Sequence, residues 1–202
     1  NTGIDLPQES AGIVPSKAWK QSNKHQPWYG GDTVITAIGQ GSLLSTPVQL
    51  AKATSILANR GFYYYPHILK STTDFQKQEH NLIFQKNNIE HHQLKNYEII
   101  DRSMRDAMQR GTGYHTFSGS PYAIAGKTGT TQITSNIHTR ELGVVPKNLA
   151  DHSLFIGYAP HKKPEIVIVV LVENYEMSAS RVAKSILDYY FNKRKQDNVI
   201  TI

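Results

Sequence analysis

Near the end of the chain two apolar runs, Ser153–Ala159 and Glu165–Val172, are joined only by the short polar turn Pro160–Pro164. A connection of that length and composition predicts an antiparallel strand pair. Upstream, Tyr122-Ala123-Ile124-Ala125 leads into Gly126-Lys127-Thr128-Gly129-Thr130-Thr131-Gln132, a stretch rich in β-branched residues and without a helical apolar stripe, so a further strand is expected there. Helices are expected around these strands. Thr46 is a good N-cap, Pro47 suits the first helical position and Gln49 completes a capping box, opening a largely apolar and buried helix (Val48, Leu50, Ala51, Ala53, Ile56, Leu57, Ala58) that Gly61 ends as a left-handed cap. A second helix from about Leu94 to Arg110 places Ile100, Met104, Ala107 and Met108 on one face and stops at Gly111; a last one, Ser178 to Phe191, turns Val182, Ile186, Leu187 and Tyr190 inward. Helix, helix, strand, hairpin, helix is not the alternation of a parallel sheet. The expected fold class is α+β, an antiparallel sheet flanked by helices.

The remaining segments carry weaker patterns. Residues 1–45 read as irregular, punctuated by Pro7, Pro15 and Pro27 and anchored by Trp19 and Trp28. Phe62 to Leu69 reads as extended, with Phe62-Tyr63-Tyr64-Tyr65 as a packing surface, and 70–90 as a polar excursion or hairpin. His91-His92 is expected at a solvated surface.

Composition excludes several function classes. With no cysteine in 202 residues there are no disulfides, thiolate metal sites or cysteine nucleophiles. The longest aliphatic run, Ile166–Val172, is far short of the ~20 residues a bilayer span needs. The chain opens at Asn1 with neither Met nor a charged leader, so a cut N-terminus is expected, with any export or anchor segment outside these residues. The net charge of +6 is dispersed except for Lys193-Arg194-Lys195, expected to be a solvated tail; no nucleic-acid reading module accompanies it, so no nucleic acid is expected as a partner.

The chemistry centres on Lys127-Thr128-Gly129-Thr130. On a strand, the ammonium attracts an anion, the hydroxyl directs a hydrogen bond, and the glycine leaves backbone that a ligand can approach closely. Two rivals fail on spacing. A phosphate-binding loop ending in Gly126-Lys127-Thr128 needs glycine at 121, where Pro121 stands, and a strand rather than a helix follows. None of the nine histidines has another four residues on, so no zinc pair is present and no metal is expected. No serine has lysine three positions later and none has asparagine two positions later, so this chain carries no recognisable nucleophile of its own.

The Lys-Thr-Gly triplet is one signature of serine β-lactamases and penicillin-binding proteins. The pieces Thr2-Gly3-Ile4-Asp5-Leu6-Pro7, Trp19-Lys20, Trp28-Tyr29, Gly31-Asp32-Thr33, Ile38-Gly39-Gln40-Gly41, Thr46-Pro47-Val48-Gln49-Leu50-Ala51, Asn59-Arg60-Gly61, Pro66-His67, Asp151-His152-Ser153-Leu154-Phe155 and Glu173-Asn174 extend the match over nearly the whole chain. In order and spacing they resemble the second half of a class B penicillin-binding protein. Gly31-Asp32-Thr33 and Ile38-Gly39-Gln40-Gly41 are more similar to the elongation-type penicillin-binding protein 2 branch than to the septal one.

The resemblance implies that residues 1–202 are the C-terminal portion of a β-lactamase/transpeptidase-like domain whose Ser-x-x-Lys and Ser-x-Asn segments lie outside the chain. It implies a DD-transpeptidase that cross-links peptidoglycan stem peptides through a serine acyl-enzyme, is a target of β-lactams, and works at the periplasmic face of the bacterial inner membrane without metal or organic cofactor. The membrane is implied only through an N-terminal anchor absent here, and glycan-polymerase and elongation-complex proteins are the implied partners. Lys127 would hold the serine of the Ser-x-Asn element, Thr128 and Thr130 would bind the donor peptide's carboxylate, the Thr130 N–H would be one arm of the oxyanion hole, and Gly129 would let the peptide lie along the strand. Gly39, Gln40 and Gly41 read as a turn or as support for the site's floor, Asp151 and His152 as a turn and strand start. A serine β-lactamase, a β-lactam-sensing receptor domain and a non-catalytic binding fragment remain the alternatives; by itself the chain is expected to be inactive.

Overall fold

The computed structural model describes residues 1–89, 93–131, 150–174 and 179–199. Its elements in chain order are α1 (Lys17–Lys24), α2 (Gly30–Ala37), α3 (Pro47–Ala58), β1 (Phe62–Tyr63), β2 (Ser71–Thr73), β3 (Glu79–Asn81), β4 (Asn87–Asn88), α4 (Leu94–Gln109), α5 (Tyr114–Phe117), β5 (Ala125–Thr131), β6 (His152–Ala159), β7 (Ile166–Val172) and α6 (Ala179–Val199). Two compact units form, Asn1–Gln49 with Tyr64–Gln85, and Leu50–Tyr63 with Lys86 onward. His91-His92 and most of the polar stretch after Thr131 lie outside the described residues.

The first unit is less irregular than its prolines imply. Ser16 Oγ accepts the Trp19 N–H at 3.1 Å and so starts α1. Asp32 accepts the Tyr29 N–H at 2.7 Å, closing the first turn of α2, and takes the Lys20 ammonium at 2.6 Å, which ties the two helices together. The Lys20 ammonium and then the Tyr29 N–H hold the Asp32 carboxyl below its ordinary pKa. Short helices capped this way are carried by side-chain bonds rather than by an apolar stripe, and that is why periodicity missed them. Gly39 and Gly41 take φ of 78° and 75° in the turn after α2. The expected hairpin is present as β2 and β3, with Asp74 Oδ1 accepting the Gln76 and Gln78 N–H groups at 2.8 and 2.9 Å across the turn.

At α3 the reciprocal capping box exists as expected: Thr46 N–H to Gln49 Oε1 at 2.9 Å and Gln49 N–H to Thr46 Oγ1 at 3.2 Å. The helix is only half-buried, with Thr54 and Ala58 alone fully covered; Thr54 tolerates burial because its hydroxyl donates to Leu50 O at 2.7 Å. The left-handed turn that ends it takes in Arg60 (φ 53°) as well as Gly61 (φ 101°). Extended pairing covers only Phe62–Tyr63, against Asn87–Asn88. The aromatic run is not a packing surface throughout: Tyr64 and Tyr65 are exposed, while Lys86 sits 3.8 Å from the Phe62 ring centroid and Lys52 5.0 Å from that of Tyr63.

The second unit is built on the antiparallel sheet β5-β6-β7, in the registers Lys127↔Ile156 and Ile156↔Val169. Strand alternation divides its residues between two cores. Phe155, Ile168 and Val170 pack with Met108, Phe117, Ala179, Ala183 and Leu187; Ala125 and Tyr158 pack with Ala58 and Met104. The fully buried Phe155 ring lies over two glycines, Gly126 and Gly157, where an added Cβ would come within 2.8 and 3.0 Å of it.

Two helix faces differ from the periodicity reading. On α6 the buried positions are Ala179, Ala183 and Leu187, with Phe191 stacked 4.6 Å from Tyr122, while Val182 and Ile186 are exposed. Small alanines let the helix come close to the sheet, so the alanine stripe is the one that packs. On α4 Met104 and Met108 are buried but Ile100 is exposed. Asp101 faces inward instead, accepting the Tyr158 hydroxyl and bonding His161 Nε2 at 2.8 Å; a buried phenol needs that partner, and turning Asp101 in carries Ile100 out. Nor does Lys193-Arg194 trail as a tail: α6 continues through it, and Arg194 pairs with Glu165.

Asp188 on α6 accepts the Tyr122 hydroxyl at 2.7 Å and the Lys184 ammonium at 2.6 Å. Burial pushes its carboxyl up, but the bonds from Lys184 and Tyr122 together outweigh burial and hold it below its ordinary value. Burial, then Asp188, pushes the Tyr122 phenol well above its ordinary value, so it stays a donor. Because the folded carboxyl is the more acidic, its contribution to stability is complete above the unfolded value, roughly pH 4, and is lost as pH falls through the folded one. Unfolding midpoints of wild type and Asp188→Asn are therefore expected to differ by a constant amount above about pH 5 and to converge in stronger acid.

Candidate active-site strand

The Lys-Thr-Gly segment sits where expected, on β5. One edge of β5 is paired to β6 along its length, from Ala125↔Tyr158 to Thr131↔His152; among the described residues no strand pairs with its other edge. Among the described residues β5 is therefore an edge strand, which can accept an extended chain. Alternation sends Lys127 to one face, in register with Ile156, and Thr128 and Thr130 to the other, in register with Phe155 and Ser153.

The two threonines line a cleft of about 650 Å³. Its other walls are Thr112 just before α5, His115 and Thr116 of α5, Ser153 and Leu154 of β6, and Ser180, Arg181 and Lys184 of α6. Thr128 donates its hydroxyl to Thr112 Oγ1 at 2.8 Å, and the Thr116 and Ser180 hydroxyls meet at 3.3 Å. Ser153 Oγ accepts the Ala179 N–H at 3.2 Å, seating the start of α6 against the strand. Lys127 is exposed and not among the lining residues; its ammonium donates to the carbonyl of Thr128. A wall of hydroxyls and cations with an open strand edge suits an acidic, extended ligand. Among the described residues no group of three or more His, Asp or Glu side chains is placed to hold a metal ion.

Sequence reasoning missed Thr112, Thr116 and the α6 residues at this cleft. The pattern Gly111-Thr112-Gly113 was a legible signal, since a polar residue between two glycines marks a tight, closely packed turn. His152 keeps the structural role read for it: it begins β6, one residue after Asp151, and its Nδ1 accepts the Asn174 N–H at 3.0 Å.

The profile of the penicillin-binding protein transpeptidase domain matches residues 1–191. The chain belongs to that family. The peptidoglycan D,D-transpeptidase MrdA of Acinetobacter baumannii is 37% identical over 208 residues, covering 98% of this chain and 30% of that protein. The protein of the same name from Haemophilus influenzae is 35% identical over 202 residues, covering 96% of this chain and 31% of that protein. In structure, the penicillin-binding protein PBP2 of Helicobacter pylori, solved in complex with MreC, superposes with a TM-score of 0.74 at 30% identity, over 96% of this chain and 33% of that one. The transpeptidase-family chain thus spans about a third of the length of the relatives it matches. Its α+β fold, with β5, β6 and β7 antiparallel, agrees with the fold class read from its strand and turn pattern.

Proposed function

We propose that these residues are the C-terminal portion of a transpeptidase domain, and that the complete protein is a peptidoglycan D,D-transpeptidase of the elongation type. In that reading Thr128 and Thr130 receive the carboxylate of the donor stem peptide, Gly129 keeps the strand edge open for it, the Thr130 N–H is one arm of the oxyanion hole, and Lys127 holds the serine of a Ser-x-Asn element supplied elsewhere in the protein. The nucleophilic serine, in a Ser-x-x-Lys element also supplied elsewhere, attacks the D-Ala-D-Ala carbonyl and expels D-alanine; the amine of a second stem peptide then attacks the ester and frees the serine. The observation that carries this reading is the conjunction of the Lys127–Thr130 motif on a strand whose other edge is unpaired among the described residues with hydroxyls lining a cleft beside it. The names of the relatives support it, and the PBP2–MreC complex supports a scaffold of that kind as a partner. β-Lactams would react as mimics of the donor peptide, and the protein would work at the periplasmic face of the inner membrane beside a glycan polymerase.

The test is intact mass after incubation with benzylpenicillin, for the complete protein and for residues 1–202 alone. A single penicilloyl adduct on the complete protein, mapped to a serine outside these residues, is the expected outcome. An adduct on residues 1–202 alone would reveal a nucleophile here and overturn the assignment of roles. No adduct on the folded complete protein would overturn the transpeptidase reading itself.

A further inference from the structure

The hydroxyl of Thr128 does not face the cleft unaccompanied. It donates to Thr112 Oγ1 at 2.8 Å, and Thr112 comes from a different segment, the turn between α4 and α5. That turn is held against the end of α4 with no room to spare. A Cβ on Gly111 would lie 2.9 Å from Ala107 Cα, and one on Gly113 would lie 2.4 Å from Met108 Cε. The Gly113 N–H donates to Ala107 O at 3.0 Å, and Met108 is itself sunk in the core. So the backbone that carries Thr112 is held by packing on both sides of it.

A threonine hydroxyl has one proton and two lone pairs. With Thr128 as the donor to Thr112, only its lone pairs are left for the cleft, and lone pairs repel a carboxylate. Resting on the transpeptidase reading above, we propose that Thr112 is a positioning residue: when a carboxylate enters, Thr128 turns its O–H to the ligand and Thr112 turns its own O–H to Thr128 Oγ1. Both C–O torsions rotate and each oxygen keeps its hydrogen, so no proton is transferred. The two oxygens, 2.8 Å apart in the structure, stay in contact while donor and acceptor exchange roles. A hydroxyl that accepts one hydrogen bond becomes a stronger donor in the next, so Thr112 both aims Thr128 and strengthens its bond to the anion.

The experiment follows acylation of the complete protein by benzylpenicillin, a carboxylate ligand, and by its methyl ester, which lacks that charge. Thr112→Val keeps the shape and removes the hydroxyl. It is expected to weaken pre-acylation binding of benzylpenicillin about 5- to 10-fold, to leave the first-order acylation rate and the methyl ester reaction unchanged, and to leave the thermal midpoint in place. Thr112→Ser should restore binding. In a Thr128→Val background, adding Thr112→Val should cost nothing more, because the residue acts through Thr128. Equal losses with acid and ester, full activity in Thr112→Val, or additive losses in the double variant would each overturn the role while leaving the transpeptidase reading intact. Failure of the wild-type protein to acylate at all would instead remove that reading, and this role with it.

Discussion

Lys127→Ala in the complete protein is expected to slow acylation by benzylpenicillin by about 10²–10³-fold, the range seen when one charge-stabilising donor is removed from an acyl-transfer site. The fold should not notice. Lys127 is exposed, its ammonium donates to the carbonyl of the adjacent Thr128, and it stands outside both clusters of buried residues around the sheet. Substitution at such a position normally shifts stability by no more than about 0.5 kcal/mol. Lys127→Arg should not rescue the rate, because a planar fork cannot replace a compact ammonium in a fitted site. Thermal unfolding beside stopped-flow acylation separates the two effects, and wild-type acylation by Lys127→Ala would refute the role assigned to this residue.

The two glycines of the strand should fail in opposite ways. Gly126 is buried, and a Cβ there would meet Phe155 Cζ at 2.8 Å and Ile156 O at 2.9 Å, so neither a ring in the core nor a carbonyl in the β5–β6 ladder has room to give. Gly126→Ala is therefore expected to destabilise the protein by about 1–3 kcal/mol, with acylation per folded molecule only secondarily affected. Gly129 differs. Its added Cβ would meet Leu154 Cβ at 3.4 Å, an ordinary contact, so Gly129→Ala should leave stability unchanged or raised by about 0.5–1 kcal/mol. If a peptide must lie against that backbone, the same substitution should cut acylation by at least about tenfold, since a methyl group then stands where the ligand packs. Denaturant unfolding with acylation kinetics on both variants reads the contrast. A destabilised Gly129→Ala with normal kinetics would mean that Gly129 serves the fold alone.

Some of this was legible in one dimension because its cause is local. Thr46 and Gln49 form their capping box within four consecutive residues. The turn at Pro160–Pro164 is too short for anything but antiparallel strands, and β6 and β7 pair accordingly. The hairpin at β2 and β3 follows from Asp74 bonding its own near neighbours. The motif at Lys127–Thr130 could be placed on a strand because β-branched residues surround it.

What failed in one dimension depended on a partner distant in sequence. Ile100 and Asp101 are adjacent, and apolar periodicity prefers Ile100; only the Tyr158 hydroxyl and His161, 57 and 60 residues away, make Asp101 the one to turn inward. Val182 and Ile186 form as good a stripe as Ala179 and Ala183 until the sheet selects the stripe that allows the closer approach. α2 escaped notice because its first turn is anchored by Lys20, twelve residues back. The strand that carries Lys127-Thr128-Gly129-Thr130, its antiparallel neighbours and the family could all be read from the chain alone, since these follow from local pattern and motif order. That Thr112 meets Thr128, sixteen residues apart, could be seen only in three dimensions, because the contact needs α4 packed against β5 with two glycines pressed into its end.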